Sequence, residues 1–356
     1  GVLRAYSLVH SYCRVDGCRG CALASGRECA TRRPDKLARM ISDSPERRTY
    51  SFLGPAGTFT EMALAQVPEA RGQEWRPVHN VGQALDDVLT GRSTAAMIAI
   101  ENSIEGGVSN AQDALAVLPD LRIIGEYLVP VNFVLVARPG TKLEDVHVIN
   151  AHPVAYAQCY RWLNESLPTH LHVPAPSNVA SAASLLDGTS DADAAVAPPG
   201  ITEHYDLEVL ASNIGDNANA VTRFVLVSRT VPSPEPTGAD KTSLIAELPE
   251  DGSGALLALL EQFSTRGINL SLLESRPIGD ALGRYRFVID ADGHVRDERM
   301  ADALLGLRRF SPNLVFLGSY PRADRAIISY EQRYSDEVFV EARDWLSGLL
   351  SGEPGA

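Results

Sequence analysis

The sequence lacks the features that mark a membrane protein, a nucleic-acid binder or a nucleotide-dependent enzyme. No apolar run approaches the roughly 20 residues needed to span a bilayer. The net charge of −13 argues against nucleic acid or an anionic membrane surface as a partner. The G-x-S-x-G, P-loop and G-x-G-x-x-G motifs are missing, so nothing supports a hydrolase, an NTPase or a dinucleotide-binding enzyme. We therefore expect a cytoplasmic protein that acts on small molecules.

Cysteine is scarce, and its distribution is uneven. Four of the five cysteines fall within residues 1–48, where ten Lys and Arg residues outnumber five Asp and Glu residues. Their spacing could suit a metal or an iron–sulfur cluster but matches no common motif closely. Because the first Met is Met40, we expect residues 1–48 to be a disordered leader or upstream sequence, and we predict no metal site. The four cysteines are Cys13, Cys18, Cys21 and Cys29.

The most informative segment covers residues 96–108. Its first five residues are apolar, as in a buried strand, and polar residues and two glycines follow directly. Ligands of open parallel sheets bind beyond the carboxyl ends of the strands, and glycine lets a backbone approach a ligand closely. An ordinary strand-to-helix turn would look similar. We predict one wall of a small-molecule site, formed by Glu101, Asn102, Ser103, Gly106 and Gly107.

Three more polar clusters lie where a predicted strand ends or a predicted helix begins. They cover residues 54–61, 151–159 and 213–224. Together they offer hydroxyl groups, one Arg and one His, and their spacing fits no metal-ligand pattern. We therefore predict that no metal is held in this site.

The alternation of strand and helix patterns predicts an α/β catalytic region over residues 49–230. We expect two lobes with a cleft between them, one formed by roughly residues 49–126 with 206–230 and the other by 127–205. Residues 127–137 are predicted as one long strand.

The rest of the chain begins with a proline-rich linker at residues 231–240. Residues 241–320 then show the order strand–helix–strand–strand–helix–strand, which is the ferredoxin-like motif. A charged tail, residues 321–356, is predicted to contain one helix near residues 336–350.

These motifs resemble those of the prephenate dehydratases. The resemblance covers roughly residues 49–320 and depends on GPAGTFTE at 54–61, IENSIEGGV at 100–108, AHPVAYAQC at 151–159 and TRF at 222–224. It implies a catalytic domain of two lobes, similar to periplasmic binding proteins, followed by a regulatory ACT domain. Two positions depart from the family pattern, with Ala99 where Pro is frequent and Ala220 where Asn is frequent.

The resemblance implies the conversion of prephenate to phenylpyruvate, a lyase reaction on the route to phenylalanine. Loss of the carboxylate and the hydroxyl together makes an aromatic ring, so the family's reaction needs no redox or metal cofactor. Preorganised dipoles and orientation can supply most of the rate enhancement. The implied catalytic residues are Thr222, Arg223, Asn102 and Ser103, and the implied substrate-binding residues are Thr58, Thr60, Glu101, Gly106, Gly107, His152 and Phe224.

Roles within this set are left open at several positions. Thr222 is the essential residue by resemblance, and its hydroxyl would hydrogen-bond the departing oxygen. Arg223 suits a substrate carboxylate but could instead form a structural ion pair. His152 could supply a proton or could simply belong to a turn, and Phe224 could serve in packing.

ACT domains of the family pair and bind phenylalanine at their interface. The resemblance therefore implies feedback inhibition by L-phenylalanine and a homodimer or homotetramer. The implied effector-binding residues are Gly254, Ala255, Leu256, Asn269, Leu270, Glu274, Ser275, Arg276 and Pro277.

Two alternative functions remain open from the sequence. Arogenate dehydratase performs the same chemistry on an amino acid. A non-catalytic amino-acid sensor would also combine a cleft between two lobes with an ACT domain. The Thr222 motif favours an enzyme over the sensor.

Overall fold

The computed structural model describes residues 48–104, 106–118, 120–229, 231–249, 252–279 and 283–352. The predicted leader covers residues 1–48, and its residues 1–47, with the four cysteines, lie outside these ranges. The fold is mixed α/β with three sheets in the described part of the chain. None of the helices in these ranges is both long enough and apolar enough to cross a membrane.

The first sheet is mostly parallel and carries three helices; we call it the first lobe. Its strand order is β2-β1-β3-β11-β5, with the short β4 against the end of β3. Strand β11 runs antiparallel to both of its neighbours. The elements are β1 (Thr49–Leu53), α1 (Phe59–Leu64), β2 (Glu74–Val78), α2 (Val81–Leu89), β3 (Ala95–Asn102), β4 (Gly106–Gly107), α3 (Ser109–Val117), β5 (Leu121–Pro130) and β11 (Val221–Arg229).

The second sheet also carries three helices; we call it the second lobe. Its strand order is β10-β6-β9-β7-β8. The elements are β6 (Val134–Ala137), β7 (Val148–Ala151), α4 (Pro153–Gln158), α5 (Tyr160–Ser166), β8 (Leu171–Pro174), α6 (Asn178–Asp187), β9 (Ala194–Ala197) and β10 (Glu208–Ser212).

Two details of the predicted lobes are wrong. The single strand predicted over residues 127–137 is two strands, β5 and β6, in different sheets. The break follows Pro130, which has no N–H to donate, and the Asn132 side chain accepts from the Phe133 N–H at 2.8 Å in place of a ladder bond. In addition, β10 pairs with β6, so residues 208–212 belong to the second lobe rather than the first.

The C-terminal unit, residues 240–321, is a four-stranded antiparallel sheet with two helices. Its strand order is β13-β14-β12-β15. The elements follow each other as strand, helix, strand, strand, helix and strand, and a further helix, α9 (Asp336–Ser351), comes after them. They are β12 (Asp240–Glu247), α7 (Ala255–Ser264), β13 (Leu270–Pro277), β14 (Tyr285–Asp292), α8 (Glu298–Phe310) and β15 (Leu314–Pro321).

The two faces of this C-terminal sheet pack against different partners. One face is covered by α7 and α8, with Leu259 and Leu307 in a common core. The other face packs on the first lobe, because Ile245, Val288 and Leu317 share a core with residues of β3, β5 and β11. The C-terminal unit thus lies directly behind the strands that end at the predicted site.

Candidate functional site

A cavity of about 260 Å³ lies between the two lobes and collects side chains from both. The first lobe contributes the end of β3, the start of β11 and the start of α1, and the second lobe contributes α4 and the start of α6. Small clefts with a few convergent polar groups are the usual form of a ligand site. The lining residues are Phe59, Asn102, Val131, Phe133, His152, Val154, Ala155, Gln158, Asn178 and Thr222.

The polar centre of the cleft is formed by Asn102 and Thr222. They face each other across the β3–β11 ladder, and Asn102 Nδ2 donates to Thr222 Oγ1 at 2.9 Å. Asn102 Oδ1 is held in turn by the backbone N–H of Ile104 at 2.8 Å. Because the Thr222 oxygen accepts from Asn102, its own hydrogen can be donated to a ligand in the cleft. The structure therefore brings together Asn102 and Thr222, both of which the resemblance implied as catalytic residues.

The structure contradicts the prediction that Arg223 faces the same cleft. Successive side chains of a strand point to opposite faces, so Arg223 points toward the C-terminal unit. Its Nε donates to Glu101 at 2.8 Å, its Nη1 to Glu126 at 3.0 Å and its Nη2 to Asp290 at 2.6 Å. Arg223 is only 6 % exposed. Its contacts are those of the structural ion pair that the sequence left open.

Glu101 pairs with Arg223 at the partly exposed edge of an ion cluster formed by Arg223, Glu126 and Asp290, and it does not belong to the cleft wall. The cluster also contains Lys241, whose Nζ donates to Glu126 at 2.7 Å. Burial opposes ionisation of Glu126, but the charges of Lys241 and Arg223 outweigh it and hold the pKa of Glu126 below its ordinary value. The cluster therefore ties the first lobe to the C-terminal unit through ionised groups.

Glu126 should make the fold sensitive to acid. A carboxylate with a lowered pKa stabilises the fold above its ordinary pKa of 4.5, and that contribution is lost as the pH falls through the folded-state value. We expect Glu126→Gln to lower the free energy of unfolding by about 2 kcal/mol at pH 7, since it weakens two charge-assisted hydrogen bonds. The difference from wild type should shrink toward pH 3.5. Urea unfolding at the two pH values measures this, and a difference independent of pH would contradict it.

Thr58 and Thr60, predicted to bind substrate, have other surroundings. Thr58 is the N-cap of α1 and accepts from the Glu61 N–H at 3.3 Å, while Glu61 reaches back to the Gly57 N–H at 2.5 Å. Thr60 is buried. Neither lines the cavity, whereas the intervening Phe59 does.

Ser103 and the two glycines also lie outside the cavity lining. Ser103 closes the strand pair, since its Oγ accepts from the Val221 N–H at 2.9 Å. Gly106 and Gly107 form β4, and a Cβ at Gly107 would come within 1.9 Å of Glu274 Oε2. Gly107 therefore permits close contact with the C-terminal unit, which differs from the predicted contact with a ligand.

His152 and Phe224 differ in their relation to the cleft. His152 lines the cavity, and its Nδ1 accepts from the Val154 N–H at 3.3 Å at the start of α4. Phe224 is buried in the core of the first lobe, so its contacts are those of packing. The sequence interpretation missed seven lining residues, namely Phe59, Val131, Phe133, Val154, Ala155, Gln158 and Asn178. The position of Gln158 in the AHPVAYAQC motif was the available signal.

The residues predicted to bind the effector fall into two groups. Gly254 caps α7 with φ +83°, a conformation that favours glycine, and Ala255 and Leu256 begin that helix. Asn269 donates to Asp292 at 2.8 Å just before β13, where Leu270 begins the strand. These residues surround the start of α7 and the start of β13, and their role in effector binding stays a prediction.

The second group lies along β13 and alternates between two faces. Glu274 accepts from Gln112 of α3 at 2.8 Å, and Arg276 donates to Asp113 of α3 at 2.9 Å. Ser275 and Pro277 are exposed on the other face. Glu274 and Arg276 therefore engage the first lobe in this structure, and any effector that uses them must compete with those contacts.

Comparison with known proteins adds to this geometry. A family model described as prephenate dehydratase matches residues 50–232. A prephenate dehydratase of Amycolatopsis methanolica is 41% identical over 304 residues, which cover 85% of this chain and 98% of that protein.

Two solved structures are similar over most of the chain. The crystal structure of a prephenate dehydratase from Arthrobacter aurescens in complex with L-Phe has 52% identity and a TM-score of 0.81, covering 85% of this chain and 99% of that one. GqqA, described as a novel type of quorum-quenching acylase, has 30% identity and a TM-score of 0.70, covering 77% and 98%. A shared fold therefore does not by itself define the reaction, which depends on the side chains of the cleft.

Proposed function

The chain belongs to the prephenate dehydratase family, and we propose that its cleft converts prephenate to phenylpyruvate with loss of water and carbon dioxide. The observation that carries the proposal is the Asn102–Thr222 pair at the centre of the cleft. A hydroxyl that is oriented by an amide, and has its hydrogen left to donate, is suited to a departing oxygen.

The departing hydroxide needs stabilisation more than it needs a strong acid. The Thr222 hydroxyl is too weakly acidic to give up its proton fully at neutral pH, so it acts as a hydrogen-bond donor. In our proposal, Asn102 fixes the direction of that donor. His152 is a second candidate donor: its Nδ1 accepts from the Val154 N–H, so the ring carries its hydrogen on Nε2 and can offer it as a hydrogen bond to the departing oxygen, while water supplies the proton that completes the loss of hydroxide.

The two carboxylates of the substrate require donors other than Arg223. The cleft offers the side-chain amides of Gln158 and Asn178, one from each of two helices of the second lobe. Amides bind a carboxylate without committing a counter-charge to the ground state. Decarboxylation removes one of the two negative charges of the substrate, so binding by neutral amides does not oppose the reaction.

We further propose that the C-terminal unit is an ACT regulatory domain that binds L-phenylalanine. Its βαββαβ order and its contact with the first lobe support this role. The similar protein from Arthrobacter aurescens was crystallised with L-Phe. A homodimer or homotetramer and a cytoplasmic location remain predictions.

The decisive test compares substrates on the purified chain. We expect phenylpyruvate to form from prephenate, and L-phenylalanine to inhibit the reaction. Faster turnover of arogenate than of prephenate would make the chain an arogenate dehydratase. Binding of L-phenylalanine without turnover of either substrate would identify a sensor.

A further inference from the structure

Two adjacent rungs of the β3–β11 ladder face opposite sides of the sheet. Thr222 and Asn102 form the rung that faces the cleft, and Arg223 and Glu101 form the next rung, which faces the C-terminal unit. One peptide bond in each strand separates the two rungs. A shift of the Arg223–Glu101 rung therefore moves the hydrogen bond at the centre of the cleft.

The ladder is irregular at this point. The register shifts between Arg223 and Phe224, so Ile100 is an extra residue in β3. A bulge of this kind re-aims the side chains that follow it, and it leaves the strand pair with fewer ladder bonds to fix them. Here it turns Asn102 toward the cleft although Ile100, two residues earlier, faces the C-terminal unit. Side-chain contacts must supply the positioning that the ladder lacks.

Asp290 of β14 supplies such a contact from the C-terminal unit. It is 3 % exposed, and its Oδ2 accepts from Arg223 Nη2 at 2.6 Å. Its other oxygen accepts from the Ser243 hydroxyl, which in turn accepts from the Tyr320 hydroxyl at 2.5 Å. A buried, charge-assisted hydrogen bond with both carboxylate oxygens engaged holds its geometry tightly.

We propose that Asp290 is a positioning residue for the dehydration: it anchors Arg223 and thereby fixes the Thr222–Asn102 pair. The inference rests on the proposed function. It gives the C-terminal unit a direct part in the geometry of the cleft, since a displacement of β14 relative to the first lobe moves the anchor of the ladder.

The test is Asp290→Asn, which keeps the shape of the side chain and removes its charge. We expect kcat for prephenate to fall about tenfold, less than for loss of a direct donor, while KM changes less than about twofold. In an Asn102→Ala background, Asp290→Asn should lower kcat by less than about twofold, because the Asn102–Thr222 hydrogen bond that Asp290 positions is already absent. A purely structural role would lower both backgrounds by the same factor.

A matched control is Asp87→Asn in α2. Asp87 is also a buried carboxylate held by arginines and a serine hydroxyl, with Arg92 Nε at 2.6 Å, Arg76 Nε at 2.9 Å and Ser51 Oγ at 3.1 Å. It should lower stability without changing kcat or KM per folded molecule. If Asp290→Asn does not fold, Ser243→Ala, which removes the hydroxyl that orients Asp290, takes its place with a smaller loss of kcat.

Two outcomes overturn the inference. One is a kcat of Asp290→Asn equal to wild type, and the other is a loss of the same size with and without Asn102. Either result leaves the proposed function intact provided that the wild type and Asp87→Asn turn over prephenate. Failure of the wild type to do so would instead remove the proposed function.

Discussion

Thr222→Val is expected to lower kcat for prephenate about 100- to 1,000-fold, with KM within about threefold of wild type. Valine matches threonine in shape, so the fold and the substrate contacts should survive. The variant loses only the hydroxyl that accepts from Asn102 and donates into the cleft. An interaction that strengthens as negative charge builds on the departing oxygen affects kcat, whereas uniform binding affects KM.

Thr222→Ser is the matched control for that experiment. It keeps the hydroxyl but frees its rotation, because serine lacks the branching methyl group that restricts χ1. We expect a loss of kcat of less than about tenfold, much smaller than for valine. Phenylpyruvate formation and the melting temperature should be measured on the same samples. A valine variant with kcat within tenfold of wild type would show that another group stabilises the departing oxygen.

The sequence was sufficient to predict that Asn102 and Thr222 belong to the cleft. Our interpretation of it placed Arg223, the neighbour of Thr222, on the wrong face of the strand. Asn102 ends an apolar strand and Thr222 precedes another apolar run, and ligands of α/β sheets bind at such strand edges. Arg223 was predicted to face the same site although it directly follows Thr222 in a strand. Strict alternation of side chains already places two neighbouring strand residues on opposite faces, so the error was avoidable from the sequence.

The position of Asn102 shows where the rule of alternating side chains fails. Ile100 and Asn102 would share a face in a regular strand, yet they lie on opposite faces because of the bulge in β3. A bulge depends on the partner strand, which lies more than 100 residues away in the sequence. No local pattern could reveal it.

The contacts between the first lobe and the C-terminal unit also could not be predicted from the sequence. Glu274 and Arg276 match an effector motif, but their partners Gln112 and Asp113 lie on an ordinary polar turn of α3. Gly107 was interpreted as a place for a ligand, when the group that approaches it is Glu274. A glycine indicates that some group lies close to the backbone at that position. Only the tertiary fold identifies the group.

The strand and helix order of the C-terminal unit was, in contrast, accessible from local patterns. Each of its elements is bounded by turn residues, and one face of each is apolar. The apolar character of the opposite face, at Ile245 and Val288, marks a sheet that is covered on both sides. The sequence analysis treated this unit as self-contained and did not predict its packing on the first lobe.

Arg223→Met is expected to lower the free energy of unfolding by about 3–5 kcal/mol at pH 7. The guanidinium forms ion pairs with Glu101, Glu126 and Asp290 at the same time. Methionine would fill a similar volume without the charge. Burial alone would lower the pKa of Arg223, but the surrounding negative groups, Asp290 foremost, hold it well above its ordinary value. Removing the cation leaves Glu126 and Asp290 buried, with Lys241 still paired to Glu126 but with no Arg223 charge beside Asp290.

Urea unfolding of three variants separates this effect from a general loss of charge. Arg333→Met removes an exposed ion pair with Glu331 and should change stability by less than about 0.5 kcal/mol. Arg223→Met combined with Asp290→Asn should recover part of the loss, because one stranded carboxylate becomes a neutral amide. If Arg223→Met is no more destabilising than Arg333→Met, the buried cluster does not hold the C-terminal unit to the first lobe. Recovery of stability in the double variant would instead show that the destabilisation comes from the unpaired charge of Asp290, which lies against β3 and β11 on the side opposite the cleft.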